Sequence, residues 1–478
     1  MTDPSMPATI TLPAGFLLGA STAAYQIEGG ASDGGRGPSI WDTFSHTPGR
    51  TAGGATGDVA ADHYHRVAED LDLIASLRLD AYRFSISWSR VMPEGEGRVN
   101  DTGLAFYSDL VDGLIERGVE PIVTLNHWDL PQALEDRYGG WRGRETAYAF
   151  EKYAEVVGAA LGDRVRIWST HNEPWNNSFT GYGHGVFAPG VRSHADALRA
   201  AHHLNLSHGL GVQALRRTIT RADAQVSVTL NIFRVEAETP ADAEAARRFD
   251  AVANRVFTGP MLRGAYPDDL IHDTQHLTDW GFVRPGDTEI CHQPLDLLGI
   301  NYYEVMHVRA ARDVVDHPTA GTAFPGSEYV ELFRPADLEK TAMGWTVEAR
   351  GIEDHLIALS RDFPGLPLMV MENGAAFADD VSVVDGEQTV EDHERVAYLA
   401  DHLAATCRAR ERGADVRGFL VWSLLDNFEW AEGYGPRFGV VRVDYDTLER
   451  IPKRSAHWLA QRCATRTLPA LDVGAPAL

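Results

Sequence analysis

Residues Ile167 to Trp175 read IWSTHNEPW, and the fold of the chain can be worked out from this stretch. Apolar and β-prone residues run into Asn172 and Glu173, and Pro174 follows at once. That grammar describes a buried strand whose carboxyl end delivers polar groups into a loop that starts a helix. It also fits a plainer role, with Asn172 capping a helix, Glu173 near its positive end and Pro174 in its first turn. The balance shifts because Leu368 to Met371 is a second apolar run, ending in Glu372, Asn373 and Gly374. Two carboxylates then stand at two strand ends.

Outward from these runs the chain repeats one unit of apolar strand, polar loop and amphipathic helix. Phe16 to Ser21 reads as a first strand, and the glycine-rich loop Gly29 to Gly37 after it opens no immediate helix, which excludes a dinucleotide-binding turn. Val67, Leu71, Ile74 and Ala75 recur at helical spacing within a helix over Val67 to Arg78. Ala81 to Trp88 is strand two. Leu104 to Arg117 is a helix that Gly118 ends in a left-handed cap. Pro121 to Asn126 is strand three and Ala147 to Leu161 a helix leading to strand four at Ile167. A long helix over Ala195 to Arg216 precedes strand five at Val226 to Asn231. Strands six, seven and eight are Leu297 to Tyr303, Leu368 to Glu372 and Gly418 to Trp422.

Strands alternating with helices imply a parallel sheet under a helical cover, and eight such units close a barrel. The expected fold is therefore a single-domain α/β TIM (β/α)8 barrel with extended βα loops, occupying residues 1–478. Residues 1–14 are expected to form an N-terminal extension, and about 467–478 a tail, outside the core. Residues 310–344 and 179–190 read as loops walling a pocket.

Charge and composition narrow the partners. The chain carries 68 acidic and 43 basic residues, a formal charge of -25, which disfavours nucleic acid and anionic membrane surfaces. Cys291, Cys407 and Cys463 are too few and too scattered for a disulfide framework or a thiolate metal site. No metal and no cofactor is expected. The start lacks a basic region followed by an apolar one, and no later run is long enough to span a bilayer, so the chain reads as cytoplasmic. Asn100, Asn176 and Asn205 match the glycosylation pattern, which means nothing in a chain that is not secreted. Oligomeric state is not legible.

In a barrel of this kind every residue just past a strand converges on one mouth. Those residues are Gln26, Arg83, His127, Trp128, Asn172, Glu173, Asn231, Asn301, Tyr303, Glu372 and Trp422, followed by Glu429 and Trp430. Each has a dull alternative: Arg83 as an ion-pair partner, Tyr303 as a core aromatic, His127 as a satisfied buried imidazole. Together they are hard to explain as packing, because buried polar groups without partners are costly. Amides, an imidazole, carboxylates and indoles suit a sugar, which is a disc of hydroxyls with apolar faces. Cleaving a glycosidic bond needs two carboxyl groups and no metal.

The motifs QIEG at Gln26, YRFSISWSR through Arg83, HWDLP at His127, THNEPW at Glu173, NYY at Asn301, ENG at Glu372, WSLLDNFEW through Glu429 and RFG at Phe438 resemble those of family-one glycoside hydrolases, the β-glucosidases and their relatives. They span almost the whole chain in order. The resemblance implies a retaining, double-displacement β-glucosidase acting on small β-glycosides, with β-galactoside or β-fucoside side activity. Glu372 matches the nucleophile and Glu173 the acid/base, with Arg83 and Tyr303 holding the nucleophile ionised and aimed. Gln26, His127, Asn172, Glu429 and Trp430 match binders of the nonreducing sugar, Trp422 its stacking floor, and Asn231 and Trp345 the aglycone side. Trp128, Asn301 and Phe438 complete the expected binding set.

The resemblance also implies an unphosphorylated sugar, because members acting on phosphorylated sugars lack the glutamate found here at Glu429, and an O-glycoside, because members cleaving thioglucosides replace the glutamate found here at Glu173. One position departs from the family: Met371 stands where threonine is usual before ENG. Side-chain alternation puts Met371 opposite to Glu372, towards the barrel–helix layer. The two glutamates are expected about 5 Å apart across a shared cavity. A catalytically silent sugar-binding barrel is the competing reading, and no G-x-S-x-G elbow supports a serine hydrolase.

Overall fold

The computed structural model describes residues 9–313, 325–384 and 387–469. Eight parallel strands close a barrel. They are β1 (Leu17–Ser21), β2 (Ala81–Ser85), β3 (Glu120–Asn126), β4 (Ile167–Asn172), β5 (Gln225–Leu230), β6 (Leu297–Asn301), β7 (Leu368–Asn373) and β8 (Val416–Trp422). All eight coincide with strands read from the sequence. The main cover helices follow in turn: α1 (His63–Ser76), α2 (Asp101–Glu116), α3 (Arg144–Leu161), α4 (His194–Thr218), α5 (Asp287–Cys291), α6 (Ala349–Asp362), α7 (His393–Glu411) and α8 (Arg454–Thr465). Gly118 closes α2 at φ 72° with its N–H on the Ile115 carbonyl, the left-handed cap expected. Among the described residues no helix is long and apolar enough to cross a membrane.

Period-two alternation explains the two layers. Leu18, Tyr82, Phe84, Val123, Leu125, Trp168, Val226, Val228, Leu298, Ile300, Leu368, Val370 and Phe419 face the helices in the main core. Ala81, Ile122, Ile167, Leu297, Met369, Met371 and Leu420, with Leu17, form a separate cluster filling the barrel lumen.

Strand ends differ from the expectation where a turn intervenes. β2 stops at Ser85, and Trp88 opens a short helix, Trp88–Val91. β6 stops at Asn301, leaving Tyr303 just beyond the strand. The long connections after β5 and β6 build a three-stranded sheet of Arg234–Ala237, Val305–Ala310 and Val330–Phe333, which the sequence reading missed. Of the expected 310–344 loop, residues 314–324 lie outside the described residues.

The chain margins are partly inside the core. Thr9–Thr11 pairs antiparallel with Thr467–Pro469, and Leu12 and Leu468 are buried in the main cluster. Residues 1–8 and 470–478 lie outside the described residues.

Met371 is a correction. It is fully buried in the lumen, not between barrel and helices. The cause is a β-bulge: Val370 pairs with Ile300 but Glu372 with Asn301, so two residues of β7 oppose one of β6. The extra residue breaks the alternation, and Met371 and Glu372 both point inward. Gly299 faces this point, where a β-carbon would meet Thr229 Oγ1 at 2.6 Å and Met371 Cγ at 2.9 Å. Glycine there leaves room for the methionine.

Candidate active site

A second bulge lies on β4. Ser169 pairs with Ser227 and Asn172 with Thr229, three steps against two. Thr170 Oγ1 and His171 Nε2 both reach α4, at His208 Nδ1 (2.7 Å) and Ser207 Oγ (2.9 Å). Two consecutive outward residues reset the alternation and turn Asn172 into the barrel. Each glutamate-bearing strand thus carries one extra residue near its carboxyl end.

The inward groups form one hydrogen-bonded set. Arg83, with no exposed surface, donates from Nε to Thr124 Oγ1 at 3.0 Å and from its terminal nitrogens to Glu372 Oε1 and Asn172 Oδ1, both at 2.7 Å. Tyr303 donates its hydroxyl to Glu372 Oε2 at 2.8 Å. Asn301 Nδ2 donates to Glu173 Oε1 at 2.7 Å and lies 3.1 Å from Asn172 Oδ1. The other oxygen of Glu173 accepts from Asn176 Nδ2 at 2.5 Å. Trp128 Nε1 donates to the Asn172 carbonyl at 2.9 Å.

This set decides a tautomer. Asn172 Oδ1 already accepts from Arg83, so its Nδ2 is the donor facing His127 Nε2 at 3.1 Å. The proton of neutral His127 therefore sits on Nδ1, a buried atom without a partner among the described residues. Burial, reinforced by Arg83, holds the imidazole well below its ordinary pKa, so it stays neutral.

Other buried atoms are similarly unfilled. Gln26 Nε2 donates to Asn427 Oδ1 and the Phe428 carbonyl, both at 2.9 Å, and to Glu429 Oε2 at 3.3 Å, while Gln26 Oε1 has no partner. Asn301 Oδ1 is also unpartnered. Donors and acceptors held buried without partners are costly unless a ligand meets them.

Aromatic rings surround these groups. The indole of Trp422 lies 5.7 Å from the His127 ring at 17°, and Trp430 is 4.6 Å from Trp128. Half-buried Trp345 packs 5.3 Å from Tyr303 and 5.7 Å from buried Phe438. Asn231 is half-buried just past β5, with no hydrogen bond recorded to either glutamate. Trp128, Glu173 and Trp430 have φ of 75°, 46° and 53°. Left-handed backbone at bulky residues concentrates at functional sites. The sequence reading missed Trp41, 4.5 Å behind Trp430, along with Thr124 and Asn176. Asn176 carried a usable signal, lying three residues after Glu173 where a helix begins.

Two buried carboxyls, Glu173 and Glu372, share the neighbourhood of Arg83, and the half-buried Glu429 lies within reach of the charge of Glu372. Burial first, then the charge of Glu372, pushes Glu173 up to about 8, against Asn301, Asn176 and Arg83. Burial and Glu372 also push Glu429 up to about 8, against Gln26. Burial raises Glu372 as well, but the Arg83 guanidinium opposes it directly, aided by hydrogen bonds from Tyr303 and Asn301. Glu372 is the glutamate of the pair with a direct cation partner, so it loses its proton first. An ionised carboxylate beside a protonated one is the combination that displaces a leaving group at an acetal carbon.

The comparisons with known proteins agree with this geometry. The model of glycosyl hydrolase family 1 matches residues 8–467. The chain belongs to glycosyl hydrolase family 1. Among its relatives, a bifunctional β-D-glucosidase/β-D-fucosidase of Bifidobacterium breve is 49% identical over 94% of this chain and 97% of that protein. A thermostable β-glucosidase B of Thermobispora bispora is 48% identical, covering 94% of this chain and 90% of that one. The solved family 1 β-glucosidase of Thermotoga maritima superposes with a TM-score of 0.89 at 41% identity, covering 97% of this chain and all of that one. Family 1 membership and the closed eight-stranded barrel make the chain a glycoside hydrolase.

Proposed function

We propose that this family 1 enzyme is a retaining β-glucosidase that removes terminal nonreducing β-D-glucosyl residues from oligosaccharides and small glycosides. The observation that carries the reading is Glu372 gripped by Arg83 and Tyr303 while Glu173, hydrogen-bonded by Asn301, is pushed towards its protonated form. In the first step a Glu372 oxygen bonds the anomeric carbon as its bond to the leaving oxygen breaks, and Glu173 gives that oxygen a proton. Covalent bonding consumes the charge of Glu372, so Glu173 ionises more readily. In the second step Glu173 takes a proton from water, the water oxygen bonds the anomeric carbon, and Glu372 leaves.

Gln26, His127, Asn172, Glu429 and Trp430 are assigned to the nonreducing sugar, with Trp422 as its floor, supported by the unfilled atoms of Gln26 and His127. Trp128, Asn301 and Phe438 complete that wall. Trp345 and Asn231 are assigned to the aglycone side. The name of the B. breve relative supports β-fucoside side activity, and we assign cello-oligosaccharides or aryl and alkyl glucosides as the substrates. Three buried, unpaired cysteines suit a reducing compartment, and we read the enzyme as cytoplasmic and as one catalytic unit.

A 2-deoxy-2-fluoro-β-glucoside with a good leaving group tests the reading. The expected result is a stable sugar adduct on the Glu372 peptide and, with ordinary substrate, a product of retained configuration. Label on another residue, or inversion, overturns it. A silent sugar-binding barrel is not favoured, since Glu173, Glu372 and Arg83 are all present and in contact with their partners.

A further inference from the structure

Glu173 is held from both sides. Asn301, across the barrel on β6, donates to Oε1, and Asn176 donates to Oε2. Asn176 comes from Glu173's own segment, where the chain leaves β4 with Glu173 at φ 46° and enters the π-helical turn Asn176–His184. Its backbone is fixed by its N–H on the Glu173 carbonyl (2.9 Å) and by Thr180 Oγ1 on its own carbonyl. Its side chain is half-buried. π-helical turns recur at functional sites because they place one side chain out of helical register. Here that side chain returns to the preceding carboxyl.

We propose that Asn176 is a positioning residue of the reaction, whose amide orients the Glu173 carboxyl and sets how tightly that carboxyl keeps its proton. The inference rests on Glu173 being the acid/base group. The chemistry is one-sided: an N–H donated to a carboxyl oxygen stabilises the ionised form more than the protonated one. Burial and the charge of Glu372 favour the proton; Asn176, Asn301 and Arg83 oppose them. Other polar groups nearby are the Tyr303 hydroxyl, whose own proton loss is suppressed by burial first and then by the charges of Glu372 and Glu173, and the neutral imidazole of His127. Arg83 and Asn301 also serve Glu372 and Asn172, whereas the side-chain amide of Asn176 is recorded on Glu173 alone. Asn176 can therefore tune the proton donor with little disturbance of the nucleophile.

The test is the pH profile of kcat/KM on an unactivated β-glucoside for wild type, Asn176→Ala and Asn176→Gln. Loss of the donor in Asn176→Ala moves the alkaline limb up by about one pH unit and leaves the acidic limb in place. Asn176→Gln, which keeps an amide, returns the alkaline limb towards wild type. An alkaline limb unchanged in Asn176→Ala overturns the proposal, even if the rate falls. Asn176→Asp serves if the alanine variant folds poorly, since it keeps the size, lacks the donor and must move the limb at least as far. Glu173→Gln separates this failure from that of the underlying reading. If Glu173→Gln cleaves the unactivated glucoside at the wild-type rate, the acid/base assignment itself falls. If it is inactive while Asn176→Ala keeps the wild-type limb, only the role of Asn176 falls.

Discussion

Arg83 is buried on β2, and three of its nitrogens are committed, to Glu372, Asn172 and Thr124. Lysine in its place offers one point charge and no planar fork. Arg83→Lys is expected to lower kcat/KM by at least about 100-fold, the cost of losing an oriented donor. It also moves the acidic limb of the pH profile upward, because Glu372 is then harder to ionise. An acidic limb that stays put would show that another group holds the nucleophile charged. Glu429 supports a stability prediction. Its folded-state value, about 8, lies above the unfolded value of about 4.3, so the folded chain binds more protons between those limits. Stability therefore falls as pH rises through that window. Glu429→Gln removes the titrating group, and its thermal midpoint should exceed that of wild type at pH 8, with the advantage gone near pH 4. Melting curves at the two pH values check this, and an equal gap at both contradicts it.

At the scale of the strand, the two bulges matter more than strand propensity. Without the extra residue on β7, alternation would send either Met371 or Glu372 out of the lumen. The close approach of Gly299 to Met371 predicts the behaviour of both positions. Gly299→Ala puts a methyl within 2.9 Å of Met371 Cγ and should lower stability by about 1–3 kcal/mol. The displaced methionine lies directly before Glu372, so kcat should fall as well. Met371→Leu conserves volume and should cost less than about 1.5 kcal/mol. Denaturant midpoints with kcat for each variant check the pair. A Gly299→Ala enzyme with unchanged midpoint would mean that the lumen is looser than its packing indicates.

Across the whole molecule, the loops after β7 and β8 are tied to the outer helices by a buried charge network. Lys453, fully buried at the start of α8, donates to Asp379 and to Asp426 (2.8 Å). Arg395 on α7 joins Asp379 (3.1 Å) and Asp392, and Arg437 joins Asp426 at 2.6 Å. Three carboxylates balance three cations, and the Asp426 segment leads directly into Glu429 and Trp430. Lys453→Met leaves two buried carboxylates short of a cation and should cost about 3–5 kcal/mol. It should raise KM more than it lowers kcat, because the Asp426 loop it loosens carries Glu429, whereas Glu372, before the Asp379 loop, stays on β7 in the grip of Arg83 and Tyr303. Steady-state kinetics beside thermal melting test this, and a kcat loss with unchanged KM contradicts it.

The strand–helix repeat was legible in local sequence because period-two and helical-period patterns are short-range and survive without neighbours. Eight strands, their chain order and the convergence of strand-end residues on one mouth follow from that repeat, and the motifs around Glu173 and Glu372 pointed to a two-carboxyl site. The inward turn of Glu372 beside an already inward Met371 was decided by pairing with β6, and the inward turn of Asn172 by pairing with β5, neither of which local alternation contains. The split of charge among Glu173, Glu372 and Glu429 depends on burial and on Arg83, which meets Glu372 across a separation of 289 residues. Hydrogen-bond partners and desolvation are set by neighbours in space, and chain order alone carries no measure of either.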